Sequence, residues 1–530
     1  MTTCTYKSGG AVHINFPFDR IDRLNRRKDI LELSRSSTDR SQKKKSSKQG
    51  IIMIIQCKLV VLLVALSQVA AFTGVNRLSS SSRRSSGSTS SSSSSSSRRS
   101  QGGNVLAMVH EKIVVTGLGV ISPVGKTHEE FFNNICNGVS GIAKIDRFDP
   151  TPFKCQIGGQ VKDFNPRDYY NSKKKIKQND LATHYAVAAA ATAMKDAGID
   201  LGVAKGSEPT PGVDATRVGC VLGSAFGGMG SFENAANDLT AYGPGSIDPY
   251  TIPMILGNVH AGIVGMEIGC KGPNFAVQTA CATATHAFGE ALRLMRNGDA
   301  DVMIAGGCEA ALTPLSFAGF INLMAMNNNY NDNPTKASRP FDANRGGFVM
   351  SEGAGVLVLE TETHAKKRGA KIYCELAGYG ASCDAYHITS PAPEGEGLQR
   401  AMLDCLKDAG MKPEEVEYVN AHGTSTKKND MFETMAYKGA FGDHAKKLKI
   451  SSIKGQTGHS LGAAGGFEAV ACVKSLEHGV LAPTINFEEA DPDCDLDYCF
   501  NKKVEVPGLK TAMSDNLGFG GHNGVVVFRK

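Results

Sequence analysis

Cys281 occupies a position suited to a sulfur nucleophile. The β-prone run from Asn274 to Thr279 ends just before it, and small residues lead on into Glu290-Ala291-Leu292-Arg293-Leu294-Met295-Arg296. A strand, a sharp turn and a helix are predicted, with Cys281 in the first helical turn. Unpaired N–H groups and the positive end of the helix dipole favour a thiolate there. His422 follows a predicted strand, within Asn420-Ala421-His422-Gly423-Thr424-Ser425-Thr426. Taken alone, a histidine so placed serves structure more often than chemistry. Lys454 and His459 lie in a Gly-rich turn ahead of a helix of very small residues. Lys454 alone reads as a surface charge, although its small neighbours point to backbone that approaches something closely. His286 lies five residues past Cys281, about 140° around a helix that turns about 100° per residue. It should face away from the thiol, and packing is its expected role.

The chain's 530 residues can bury a large core. The net charge of +6 is unevenly spread. Residues 1–108 hold 18 Lys/Arg and 5 Asp/Glu, which leaves 40 basic and 47 acidic side chains, a net of −7, for the remainder. The basic excess belongs to the leader, so whole-chain charge makes no case for nucleic-acid binding. Fourteen cysteines without C-x-x-C pairs or His/Cys ligand spacing read as reduced, mostly buried thiols rather than a metal site or a disulfide framework.

Residues 1–52 are polar and basic, without apolar periodicity, and Met53 is a candidate for the true start. Residues 53–71 follow signal-peptide grammar: Lys58, the apolar run Leu59–Leu66, then small residues suited to cleavage after Ala71. That run is too short to span a bilayer comfortably, so no stable membrane span is expected in the mature protein. Residues 72–108 carry no Asp or Glu, five Arg and a long Ser tract, a composition that cannot form a core. Together these segments resemble the bipartite plastid presequences of algae with secondary plastids; a secreted protein with a polar tail is the alternative.

From Lys112 the pattern is globular. Buried strands are predicted at 113–120, 218–224 and 301–307, a helix over 180–197, and two adjacent antiparallel strands within 347–360. Gly117-Leu118-Gly119 lacks the third glycine of a dinucleotide fingerprint, since position 122 is Ser. Alternating strands and helices argue an α/β fold. The second half echoes the first. A strand ends in Gly378-Tyr379-Gly380, a strand-turn-helix recurs over 449–478, and a Gly-rich hairpin closes the chain at 518–528. Duplication would set the two strand-to-helix turns face to face, with a site between halves 109–365 and 366–530.

The segments T-A-C-A-T-A-T-H, N-A-H-G-T-S-T, K-G-Q-T-G-H-S-L-G-A-A-G-G and G-F-G-G-H-N-G, with S-R-P-F-D at 338–342 and S-C-D-A-Y-H at 382–387, occur in order from about residue 111 to 530. They resemble the elongating β-ketoacyl-acyl-carrier-protein synthases. That resemblance implies the thiolase-like duplicated fold, layered αβαβα with two mixed sheets, in a homodimer. It implies decarboxylating condensation of acyl-ACP with malonyl-ACP through an acyl-Cys281 intermediate, with no metal or redox cofactor. His422 and His459 would promote decarboxylation and hold the enolate. Lys454 would organise both histidines, and Glu433 would support the lysine region. Phe519 would supply an oxyanion-hole N–H and the gating ring, Thr424 and Thr426 would bind the pantetheine arm, and Phe226 would line the acyl pocket. Lys174 and Lys177 of the run 173–177 match positions that dock acyl carrier protein; a solvated face is the plainer reading of such a run.

The chain departs from that pattern. Lys427 stands where the relatives have Pro, and Ser514-Asp515-Asn516-Leu517 replaces Ser-Asn-Ser-Phe ahead of the gate. Thiolases need a second cysteine in the closing loop, which here holds Phe519. Initiating and chalcone-type synthases use Asn where this chain has His459. Non-catalytic chain-length factors lack the nucleophile.

Overall fold

The computed structural model describes residues 111–530. The polar extension, the signal-like segment and the Ser/Arg-rich segment lie outside the described residues. The first half supplies strands β1 (Ile113–Ile121), β2 (Val218–Gly223), β3 (Asn274–Phe275), β4 (Val302–Glu309) and β5 (Gly353–Thr361). The second supplies β6 (Cys374–Cys383), β7 (Tyr418–Asn420), β8 (Lys449–Ser451), β9 (Thr511–Gly518) and β10 (His522–Arg529). Sheet order is β8-β7-β9-β10-β6-β1-β5-β4-β2-β3.

Each half is the other's counterpart strand for strand. In the first, β2 pairs parallel with β3 and β4, while β5 pairs antiparallel with β4 and β1. In the second, β7 pairs parallel with β8 and β9, while β10 pairs antiparallel with β9 and β6. The two five-stranded sets join where β1 meets β6 over Val114↔Glu375 and Val115↔Cys374. The two expected mixed sheets are thus both present, joined edge to edge by this short two-pair ladder between their inner strands.

Helices α1 (Leu181–Asp196), α2 (Thr283–Arg296), α3 (Glu396–Ala409), α4 (Lys427–Phe441) and α5 (Ala464–His478) complete the layers. Both α2 and α5 touch strands of both halves and each other, while α1 covers β1, β4 and β5, and α3 covers β6 and β10. The layering is therefore αβαβα. Asp180 caps α1, its carboxylate accepting the Ala182 N–H. Gly-Leu-Gly and Gly-Tyr-Gly do the same work in the two halves. A Cβ at Gly119 would lie 1.9 Å from the Ala189 carbonyl oxygen, and one at Gly380 1.9 Å from that of Ala401. Each outer helix thus packs directly on bare backbone.

Two expectations fail locally. The β-run through Thr279 pairs only at Asn274–Phe275, because the chain leaves the sheet edge to reach the nucleophile turn. Residues 347–360 hold one strand rather than two. The segment ahead of β5 instead makes isolated bridges to other parts of the chain, among them Met350↔His459. Among the described residues, no helix is long and apolar enough to cross a membrane.

Candidate active site

Ala280 takes φ +51° in a 3-10 turn, Ala280–Ala282, that leads directly into α2. Leu461 takes φ +51° in the equivalent turn, Leu461–Ala463, ahead of α5. The two turns are in contact. Left-handed backbone at non-glycine residues is strained, and the rigid halves hold it in both turns. Duplication thus brings chemistry from both halves to one point.

His459 Nε2 lies 3.0 Å from Cys281 Sγ. The His422 and His459 rings meet edge to face, 5.3 Å between centroids at 88°. Lys454 Nζ donates to the His422 carbonyl and is ion-paired with Glu468, whose side chain is 1% exposed. The backbone N–H of Phe519 reaches Cys281. The Phe519 ring sits 6.4 Å from Phe320, Phe320 lies 5.3 Å from Phe348, and Phe348 lies 5.3 Å from His459. Phe226 stands at the outer end of this aromatic wall, 5.9 Å from Phe320 and 40% exposed. Thr424 and Thr426 hydroxyls share a hydrogen bond of 3.0 Å. Ser425 between them, at φ +68°, accepts the Arg339 N–H, so the S-R-P-F-D segment braces this loop. Lys427 Nζ donates to the Ala343 carbonyl, so the residue in place of Pro ties the loop to that same region.

Burial dominates the electrostatics. It pushes the Cys281 thiol up to about 12, against the pull of Lys454 and the Phe519 N–H. Burial and then Lys454 hold both imidazoles well below the ordinary histidine value. The resting pair is therefore a neutral thiol beside a neutral ring. This corrects the thiolate expected from the helix terminus: removal from water outweighs the dipole.

Glu433 also needs correction. Lys454 pairs with Glu468, whereas Glu433 accepts the Gly423 N–H at 2.9 Å, the Asn429 amide at 2.9 Å and the Tyr437 hydroxyl at 2.7 Å. It braces the backbone beside His422, because α4 passes under that loop while α5 passes under the lysine. Glu468 was legible only as a lone acid in the small-residue run of α5. Asp515 and Asn516 carry no local sequence signal of a role, yet both hold His422: Asp515 accepts its N–H at 2.8 Å, and the Asn516 amide lies 3.0 Å from Nδ1. The departure ahead of the gate thus acts on the histidine.

His286 binds the Tyr379 hydroxyl at 2.6 Å through Nδ1, and the thiol's imidazole partner is His459. Asp384 of S-C-D-A-Y-H accepts the Asn523 amide at 2.7 Å, and the Gly520 N–H donates to the Ile388 carbonyl at 2.7 Å, tying that loop to the Phe519 turn. Lys174 is exposed on the one-turn helix Lys173–Ile176, and Lys177 is exposed just past its C-terminal end. Lys175 instead pairs with buried Glu267 at 2.5 Å.

Comparison with known proteins agrees with this constellation. The β-ketoacyl synthase N-terminal domain profile matches residues 110–365, and the C-terminal domain profile matches residues 373–488. A 3-oxoacyl-[acyl-carrier-protein] synthase 2 of Synechocystis sp. is 45% identical over 426 residues, 79% of this chain and 98% of that protein. One from Staphylococcus aureus is 46% identical over 421 residues, 79% of this chain and 99% of that protein. A type II polyketide ketosynthase, solved in complex with its acyl-carrier protein and bound to a hexaketide, superposes with a TM-score of 0.72 at 35% identity, covering 79% of this chain and 99% of that one. The chain belongs to the β-ketoacyl synthase family.

Proposed function

We propose that this protein is a condensing acyltransferase that elongates fatty acids by joining acyl-ACP to malonyl-ACP, releasing CO2 and giving 3-oxoacyl-ACP. The observation that carries the reading is the 3.0 Å contact between the Cys281 thiol and His459, with the His422 ring at a right angle beside it. Cys281 Sγ attacks the acyl thioester carbonyl, and its proton leaves through His459 to the departing carrier thiolate. The carbonyl oxygen, negative in the tetrahedral intermediate, is received by the N–H groups of Cys281 and Phe519. Malonyl-ACP then enters past Phe519, with Thr424 and Thr426 along its pantetheine arm. As CO2 leaves, His422 and His459 hold the enolate oxygen, and the nucleophilic carbon attacks the acyl-Cys281 carbonyl and expels the Cys281 thiolate, which takes up a proton from solvent to restore the resting thiol. The Lys454 ammonium lowers the affinity of both rings for a proton, so His459 stays neutral and able to accept the thiol proton.

Loss of CO2 makes condensation favourable, and the thioester supplies activated carbon, so the reaction requires no metal or redox cofactor. Lys174 and Lys177 would steer the acidic carrier protein toward the site entrance. A homodimer is supported by exposed apolar side chains at the β3 edge: Phe275 on the strand itself and Met266 on the helix Val259–Ile268 that packs against it. Sedimentation of the purified protein as a monomer would end that part of the reading. The signal-like segment 53–71 and the Ser/Arg-rich segment 72–108 support import into a plastid; their removal in the mature organellar protein, read by N-terminal sequencing, is the check.

Intact-mass analysis with acyl-ACP tests the core of the proposal. One acyl group should load on Cys281, and malonyl-ACP should then discharge it with release of CO2 and 3-oxoacyl-ACP. Acylation elsewhere, or none in the presence of functional acyl-ACP, would refute it.

A further inference from the structure

Within Ser514-Asp515-Asn516-Leu517, ahead of Phe519, the structure turns Asn516 inward onto His422. We infer that Asn516 sets the proton position on His422, leaving Nε2–H to face the reacting carbonyl, and so acts as a positioning residue for decarboxylation and condensation. This rests on the condensation proposed above and deepens it.

The amide's orientation is overdetermined. Its Nδ2 lies 3.0 Å from His422 Nδ1 and 2.7 Å from Glu468 Oε2, while the Thr285 hydroxyl donates to its Oδ1. Turned over, the amide would set Oδ1 against the Glu468 carboxylate. Two N–H bonds therefore serve two acceptors, and His422 Nδ1 must present a lone pair. In a neutral ring the proton then sits on Nε2. The opposite tautomer would offer a lone pair to an enolate oxygen, which is repulsive where a donor is needed. Burial and Lys454 favour the neutral ring, so charging does not bypass the choice. The fold makes room for this device: a Cβ at Gly465 would lie 2.2 Å from Thr285 Oγ1 and 2.6 Å from Asn516 Oδ1.

Asn516→Asp tests the inference in the full enzyme. A carboxylate beside Nδ1 would draw the proton there and strip it from Nε2. CO2 release from malonyl-ACP on acyl-enzyme should fall at least about tenfold at pH 8, while acyl loading of Cys281 stays within about threefold. The loss should recover as pH falls, because a protonated ring carries hydrogen on both nitrogens. Thr285→Val, which frees the amide to turn, should show the same partition more weakly, and it decides the matter if Asn516→Asp does not fold. Wild-type CO2 release in a folded variant, or loading and CO2 release falling together without recovery at lower pH, would overturn the inference. A wild-type enzyme that loads no acyl group would instead sink the condensation reading itself.

Discussion

The resting state of Cys281 can be read by its rate of alkylation. Burial carries the thiol from its ordinary 9.0 up to about 12. That difference corresponds to about 4 kcal/mol at about 1.36 kcal/mol per tenfold. A helix terminus returns at most about 2 kcal/mol in a favourable, partly buried geometry. Desolvation therefore wins, and the nucleophile rests as a thiol. At pH 8 about one molecule in 10⁴ should carry the thiolate, against about one in ten for a cysteine titrating at 9.0. Iodoacetamide labelling of Cys281, followed by peptide mass spectrometry, should thus run on the order of 10³-fold slower in native than in denatured protein. The pH profile separates this from simple shielding. The native rate should climb about tenfold per pH unit through pH 10 without levelling. A plateau at or below pH 8 would reveal a preformed thiolate–imidazolium pair, and the argument from burial would be wrong.

Other outcomes follow from the same geometry. Lys454→Met strands Glu468 in the core without its cation; it should lower unfolding stability by about 3–5 kcal/mol and abolish condensation, and an unchanged urea midpoint would refute the pairing. Glu360 is buried, but hydrogen bonds from Arg368, His364 and Thr116 prevail and hold its carboxyl down to about 2. Its contribution is present above the unfolded value of 4.5 and lost as pH falls through about 2, so Glu360→Gln should flatten the acid limb of stability against pH across that window. Lys174→Glu with Lys177→Glu should raise KM for acyl-ACP about tenfold at low salt, with a smaller ratio at high salt; an unaltered KM would return the run to a solvated face. Phe226→Ala should lengthen the accepted acyl chain, and an unchanged chain-length profile would remove Phe226 from the pocket.

Much of the architecture was legible because its signals are local. Continuous apolar runs mark β1, β2 and β4, and the Asp180 cap and alanine run mark α1. The paired glycines echoed between the halves are a packing signal, since only bare backbone lets α1 and α3 approach so closely. The misread stretches, 274–279 and 347–360, are those whose course is set by distant partners. Propensity sees strand formers there and has no access to the bridge between Met350 and His459.

The sequence by itself determined a cysteine at a strand-to-helix turn on a duplicated α/β frame with a basic leader, and its resemblance to the condensing enzymes implied that two histidines and a lysine act with it. Which carboxylate answers which cation was decided only in three dimensions. Glu433 and Glu468 are both acids on helices near the site, and nothing in linear order says that α5 passes under Lys454 while α4 passes under Gly423. The ionisation of Cys281 belongs to the same class, because desolvation depends on every chain segment that closes over the sulfur. So does the role of Asn516, whose amide has meaning only once His422, Glu468 and Thr285, far apart in sequence, converge around it.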